Sequence, residues 1–242
     1  AASDVYKRQP DELLFFSFNK GLFIFHKQTG QIRPFVLIDK EMNDQTCING
    51  FSVNIQRITK NKILFSAQHI FIYDIVTRKF DIVATMGKEY ERQSPLIIAT
   101  VGTKTYLSDL KNICEYDSSE GTFKTIYQGQ HIINDASMDK DGVFWLASTE
   151  GLLRYDPRTG KSELIQTSLF QDVASVVADN QYRIWIGTRR HLFVYSSHTH
   201  NFATLDEVDG VLPNEYIFHA TLLAKNGDVF VGGTTGMTAV SY

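Results

Sequence analysis

Long apolar runs are missing from this 242-residue chain. Runs such as Leu13-Leu14-Phe15-Phe16 and Leu96-Ile97-Ile98-Ala99 have the length of strands. A membrane-spanning helix needs about 20 such residues. Cysteine is scarce: Cys47 and Cys114 are the two, far short of a disulfide framework, and their spacing leaves open whether they pair. Neither sign of charge dominates, since 24 Lys and Arg stand against 27 Asp and Glu. That balance gives no electrostatic reason to expect nucleic acid or an acidic membrane surface as a partner. Extended amphipathic-helix periodicity is lacking as well. So is any nucleophile elbow of the G-x-S-x-G type, and nothing in the sequence calls for a cofactor.

What the chain does have is a repeat. Six segments share one layout: an apolar strand, a tight turn, and a second strand closed by an aromatic or apolar residue. Taking Gly151 as the turn slot, the equivalent positions are Gly21, His69, Asn112, Gly151, His191 and Gly236. The next residue is always large and apolar: Leu22, Ile70, Ile113, Leu152, Leu192 and Met237. Four residues past the slot come Phe25, Tyr73, Tyr116, Tyr155, Tyr195 and Val240. Six residues before it come Phe15, Ile63, Tyr106, Trp145, Trp185 and Phe230. Gly, Asn and His in the slot predict positive φ there.

The slots are 48, 43, 39, 40 and 45 residues apart, a period that suits four-stranded propeller blades. Asp141-Gly142 and Asn226-Gly227 read as two-residue hairpin turns between a blade's first and second strands. The predicted fold is therefore all-β: a β-propeller of five to six four-stranded blades, incomplete at both ends, over residues 10–242. Residues 1–9 fit no blade pattern and are expected to be a non-native or disordered leader. Blade 1 is then expected to lack its first strand and the last blade its fourth.

Residues 139–160 resemble the two-component-regulator propeller repeat. They carry Asp139, Gly142, Trp145, Ala147, Ser148, Gly151, Leu152 and Tyr155 at that repeat's spacing. Residues 183–195 follow it with His191 in the turn slot. Asp209-Gly210-Val211-Leu212-Pro213-Asn214-Glu215-Tyr216 looks like the stretch that precedes the family's final blade. The first three copies depart from the pattern, with Ile63 in place of tryptophan. The resemblance implies a periplasmic sensing region of a hybrid two-component sensor, itself part of an inner-membrane protein. It also implies a glycan-derived ligand, with kinase activity in following domains of the parent chain rather than in these residues.

Several clusters have simpler readings than a site. His198 and His200 near His191 suggest metal ligation, but His200 aligns with Gly30, Gly121 and Gly160 and so belongs to a turn. Asp139-Lys140-Asp141-Gly142 starts like a calcium loop and lacks the later ligands. No metal site is expected. The tryptophans fall mid-strand, as packing residues do. In a propeller, the segments leading into each blade and the turns after each second strand share one surface. Here that surface would carry Asn49, His69, Lys111, Asp135, Glu150, Asp172, Arg189, Arg190, Glu215 and Tyr216, with Asn134 beside them. The arginines suit a carboxylate or sulfate on an acidic sugar, and Tyr216 suits stacking. The expected partners are an oligosaccharide or other small ligand, the following domains, and a second copy in a homodimer. Two other readings stay open: a protein–protein interaction platform, and a propeller lyase acting on a carbohydrate or antibiotic.

Overall fold

The computed structural model describes residues 3–9, 11–17, 21–35, 54–67, 69–85, 95–165, 172–211 and 214–241. They form consecutive antiparallel sheets of the propeller-blade type. Blade 1 holds β1 (Ser3–Gln9), β2 (Glu12–Ser17), β3 (Gly21–His26) and β4 (Ile32–Pro34). Blade 2 holds β5 (Asn54–Arg57), β6 (Lys62–Ser66), β7 (His69–Asp74) and β8 (Phe80–Thr85). Blade 3 holds β9 (Leu96–Val101), β10 (Lys104–Asp109), β11 (Asn112–Asp117) and β12 (Thr122–Gln128). Blade 4 holds β13 (Ile133–Met138), β14 (Phe144–Ser148), β15 (Gly151–Asp156) and β16 (Lys161–Ile165). Blade 5 holds β17 (Ser175–Ala178), β18 (Arg183–Gly187), β19 (Leu192–Ser196) and β20 (Phe202–Leu205). Blade 6 has three strands among the described residues: β21 (Tyr216–Leu223), β22 (Val229–Gly233) and β23 (Gly236–Val240).

The chain divides into two compact units. The first is Ala1–Asp109 with Cys114–Lys124, and the second is Leu110–Ile113 with Thr125–Tyr242.

The sequence pattern leaves residues 1–9 outside the blades, yet Ser3–Gln9 forms β1 and pairs with β2, Val5 opposite Phe15 and Lys7 opposite Leu13. Strand pairing uses backbone groups that every residue offers, so the lack of an apolar pattern did not forbid it. Blade 1 therefore has its first strand.

In blades 4 and 5 one aspartate organises the first hairpin. Asp139 is 7% exposed, and its Oδ1 accepts the amides of Asp141 and Val143, both at 3.0 Å. Its Oδ2 accepts the Trp145 indole N–H at 2.8 Å. Asp179 does the same forty residues on: the amides of Gln181 (2.7 Å) and Arg183 (3.0 Å) donate to Oδ1, and the Trp185 indole donates to Oδ2 at 3.0 Å. The Arg183 guanidinium adds a contact at 2.7 Å. A buried carboxylate is costly unless its lone pairs are filled, and here the turn it closes fills them. The turn is one residue longer than the two-residue form expected. The Gly142 amide donates to the Asp139 carbonyl, and Gly142 takes φ 78°. Tyr182, at φ 63°, holds the matching place in blade 5.

Positive φ recurs less at the expected slot than nine residues later. Gly151 and Gly236 have φ of 138° and 152°, whereas His69, Asn112 and His191 lie outside the positive region. The turn between third and fourth strands is the consistent left-handed site: Gly30, Arg78, Gly121, Gly160 and His200 all lie between 57° and 69°. Each amide there donates to the carbonyl four residues back, on His26, Asp74, Asp117, Asp156 and Ser196. His200 is thus a turn residue, and its Nδ1 lies 2.7 Å from the Tyr195 hydroxyl. Side chains reinforce these turns. Backbone amides of Thr77 and Val76 hold the Asp74 carboxyl below its ordinary value, Ser119 does so for Asp117, and Arg158 for Asp156.

The blades bury alternate residues on two faces. A back face packs on the front face of the next blade. In blades 4 and 5, Trp145, Ala147 and Leu152 meet Val176, Ile184, Ile186 and Phe193. In blades 5 and 6, Trp185 and Leu192 meet Tyr216, Val229 and Val231. Blades 1 and 2 join in the same way, as do blades 2 and 3. Trp145 and Trp185 are 1% and 4% exposed and occupy matching positions, opposite Arg154 and Val194. Phe230, opposite Ala239, matches them but is half-buried, as is Tyr106. In blade 1 the matching residue, opposite Ile24, is Leu14 rather than Phe15, and in blade 2, opposite Ile72, it is Leu64 rather than Ile63. The hairpin of blade 1 is one residue longer and that of blade 2 one shorter. A fixed count back from the slot therefore lands on the other face of the strand.

Asp139→Ala and Asp179→Ala should each cost about 3 kcal/mol in urea unfolding at neutral pH, because each strands a buried indole and two amides. Burial raises the Asp179 carboxyl, but the Trp185 indole, the Arg183 and Gln181 amides and the Arg183 side chain outweigh it and leave it lowered. Its contribution is then full above the unfolded carboxyl value of about 4 and lost as pH falls through the lower folded value. Asp179→Ala should accordingly flatten the acid limb of the stability curve.

Candidate functional site

In the second unit, the turn after each second strand is tied to the segment leading into the next blade. The Ile133 amide donates to the Leu110 carbonyl (2.6 Å), Val173 to Ser148 (2.9 Å) and Tyr216 to Thr188 (3.1 Å). The same side of these blades therefore carries Lys111, Glu150, Asp172, Arg189, Arg190 and Glu215. His69 belongs to the first unit, where it opens β7 opposite Thr85; its Nδ1 is buried and has no hydrogen-bond partner among the described residues. Asn49 lies outside the described residues, as does Cys47. The Cys114 thiol is buried, 3.8 Å from Asp109 Oδ2.

The residues so gathered are not equivalent. Arg189 Nε lies 3.0 Å from Asp172 Oδ2, both side chains well exposed, so the pair is worth little in stability but uses the guanidinium. Arg190 is exposed and makes no ion pair among the described residues. Lys111, Glu150 and Glu215 are exposed. Tyr216, expected to offer a stacking face, is 2% exposed. It packs under blade 5, where a Cβ on Gly187 would stand 2.8 Å from its own Cβ, and its hydroxyl is 3.2 Å from Thr238 Oγ1.

Asp135 is also buried, at 3% exposure, and serves as a pin between first strands. Its Oδ1 accepts the Ala136 amide (3.0 Å), and its Oδ2 accepts the Val176 amide of β17 (2.9 Å). From β21, the Thr221 hydroxyl donates to Oδ2 (3.4 Å) and His219 Nδ1 lies 3.2 Å from Oδ1. His219 has φ 57° inside a register irregularity between Tyr216 and Thr221. A histidine in a bulge carries no sequence signature, so this contact was not legible. Asn134 works alongside, its amide donating to the Val173 carbonyl at 2.8 Å.

A cleft of about 380 Å³ opens between the β18–β19 turn and the β20–β21 connection. Arg190 and His191 form one wall, and Asp206, Glu207 and Val208 the other. Leu192, Leu205, Val211 and Tyr216 make the apolar floor. The second wall is a single 3-10 turn, Glu207–Asp209, closed by a capping box: Asp206 Oδ1 accepts the Val208 amide and Asp209 accepts the Asp206 amide. The Asp-x-x-Asp-Gly spacing of residues 206–210 is the signal that could have located it. Of the sequence-derived candidates, Arg190 and Tyr216 line this cleft, while Arg189 on the β18–β19 turn is paired with Asp172 of the segment leading into β17.

Asp135→Ala should cost about 3 kcal/mol in urea unfolding, since it strands the Val176 and Ala136 amides in a buried site. His219→Ala, at a half-exposed residue, should cost much less, and a double-mutant cycle should show coupling of about 1 kcal/mol.

No family model matches the sequence, and no curated protein does. Solved structures do match. The extracellular domain of a putative one-component system from B. thetaiotaomicron superposes with a TM-score of 0.74 at 18% identity, over 100% of this chain and 32% of that one. The extracellular domain of a putative hybrid two-component system from the same organism gives 0.72 at 14% identity, over 99% of this chain and 33% of that one. A streptogramin B lyase gives 0.71 at 13% identity, over 99% of this chain and 79% of that one. The chain thus spans about a third of the length of the two extracellular domains. At these identities the likeness establishes the fold: this chain is built as a β-propeller, similar to those of bacterial extracellular sensor domains and of a propeller lyase.

Proposed function

We propose that this chain is part of the periplasmic sensing region of a hybrid two-component sensor and that it binds a glycan-derived ligand without transforming it. The observation that carries the reading is the cleft beside Arg190. It combines an apolar floor with a guanidinium that has no ion-pair partner among the described residues, on the loop side of the second unit. Loops held by a rigid scaffold are where recognition residues concentrate, and a concave, largely apolar site with a few polar groups is the usual form of a small-molecule pocket. A carboxylate or sulfate on an acidic sugar would pair with Arg190 through two parallel hydrogen bonds. Sugar C–H groups would meet Val211 and Leu205, and the hydroxyls would meet Asp206 and Glu207. Kinase activity would reside in other domains of the parent protein. The fold likeness to the extracellular sensor domains supports this reading.

The likeness to streptogramin B lyase, which extends over most of that enzyme, favours a second reading, a lyase acting on a carbohydrate or antibiotic. Calorimetric titration with a panel of acidic and neutral oligosaccharides separates the two. The sensor reading predicts binding of an acidic member with no change in the sugar, as followed by chromatography. Arg190→Ala should weaken that binding by roughly 1.5–3 kcal/mol, the worth of a hydrogen bond to a charged group. Arg189→Ala should change it little, because Arg189 is engaged with Asp172. Appearance of a cleaved product would support the lyase instead. Undiminished binding by Arg190→Ala would place the ligand elsewhere.

A further inference from the structure

The cleft beside Arg190 holds charges of both signs that do not meet. Arg190 stands on one wall with His191, and Asp206 and Glu207 stand on the other. No ion pair crosses the gap among the described residues, and neither Arg190, Asp206 nor Glu207 takes part in one elsewhere. The acidic wall cannot neutralise itself. The turn Glu207–Asp209 and its cap Asp206 carry three carboxylates and no basic side chain. Two of the three are engaged within the turn: Asp206 Oδ1 accepts the Val208 amide at 2.8 Å, and Asp209 Oδ2 accepts the Asp206 amide at 3.2 Å. Glu207, between them, is exposed, and its side chain makes no hydrogen bond among the described residues.

This arrangement discriminates between ligands. An acidic group drawn to Arg190 brings negative charge into a space already bordered by Asp206 and Glu207, and like charges in a partly desolvated cleft repel. A hydroxyl on the acidic wall is a neutral donor and leaves that repulsion in place. An ammonium donates stronger, charge-assisted hydrogen bonds and balances the charge as well. The competing gain for an acetylated amine is apolar, because Val208 on the same wall is 95% exposed and would receive the acetyl methyl. Burying one methyl returns about fourfold in affinity, against roughly 10- to 150-fold for a hydrogen bond to a charged group. The charge wins.

We propose that the ligand of this cleft joins an acidic sugar to an amino sugar whose amine is unacetylated, the anion lying on Arg190 and the ammonium on Glu207 and Asp206 in place of a hydroxyl. The inference rests on the glycan reading above and sharpens it, since a sugar with both signs of charge is selected over a purely acidic one. The cleft, at about 380 Å³, is near the lower end of the size of small-ligand sites, so the two charged groups belong on the same or adjacent rings.

Calorimetric titration with three probes tests it: a disaccharide of glucuronic acid and glucosamine with its amine free, the same disaccharide N-acetylated, and digalacturonic acid. A pH of about 6 keeps the carboxylates ionised and the amine protonated. The free-amine form should bind about tenfold more tightly than the other two. Glu207→Gln keeps the shape of the exposed side chain and removes its charge. It should weaken the free-amine form by about tenfold and change the N-acetylated form little, so that most of the preference is lost. Equal binding of the free-amine and N-acetylated forms, both weakened by Arg190→Ala, would overturn this inference and leave the acidic-glycan reading standing. A preference that persists undiminished in Glu207→Gln would also overturn it. Failure of all three probes to bind would overturn it together with the reading on which it rests. A leucine-containing dipeptide carries the same two charges without a sugar, and tighter binding of the dipeptide than of the disaccharide would overturn the sugar assignment.

Discussion

A carboxylate with nowhere to go but a turn and an indole sets the geometry of the best-formed blades. Asp139 and Asp179 are buried, and an ionised group in that setting must have its oxygens filled. Two backbone amides of the first hairpin fill one oxygen, and the indole six residues on fills the other. The length of the hairpin, the register of the second strand and the side on which its tryptophan emerges are thereby decided together. Everything packed on that side follows, including the alternation that brings Leu152 and Leu192 under the next blade. Blades 3 and 6 lack both the aspartate and the tryptophan: Val101 holds the matching hairpin position ahead of Tyr106, and Ala224 holds it ahead of Phe230. There the matching aromatic is only half-buried.

The repeat was legible because a blade cannot bury its faces without its neighbours, and that demand writes apolar residues at nearly fixed intervals. What the interval could not convey was a hairpin longer or shorter by one residue. Side chains alternate with period two along a strand, so one residue moves the reading from one face to the other. That is why Leu14 and Leu64, and not Phe15 and Ile63, stand where the tryptophans do. The left-handed turn was legible at Gly30, Gly121 and Gly160 and was inferred correctly for His200, but Arg78 gave no sign of it. A strand such as β1, held by backbone pairing to β2, is invisible to any search for apolar periodicity.

The candidate site was legible as a surface and not as a set of roles. Topology alone places the turns after second strands beside the segments leading into the next blade, and the hydrogen bonds from Ile133, Val173 and Tyr216 to those turns do so in the second unit. Whether a given polar residue on that surface faces solvent or is absorbed by the scaffold depends on partners far away in sequence. Asp135 is absorbed by Val176, His219 and Thr221, and Tyr216 by the approach that Gly187 permits. Arg189 is engaged by Asp172, while its neighbour Arg190 looks into a cleft whose other wall is a capped turn 16 residues further along.

The central claim, that the two buried aspartates hold the hairpins through the indoles, is most directly tested on the indole protons themselves. The protein has two tryptophans, so two indole N–H resonances report on Trp145 and Trp185 separately. Hydrogen exchange followed by NMR at neutral pH should find both protected to nearly the same degree as the slowest backbone amides of β14 and β18, because releasing either requires opening the blade. Exchange at the rate of a free indole, with those backbone amides still protected, would contradict the account.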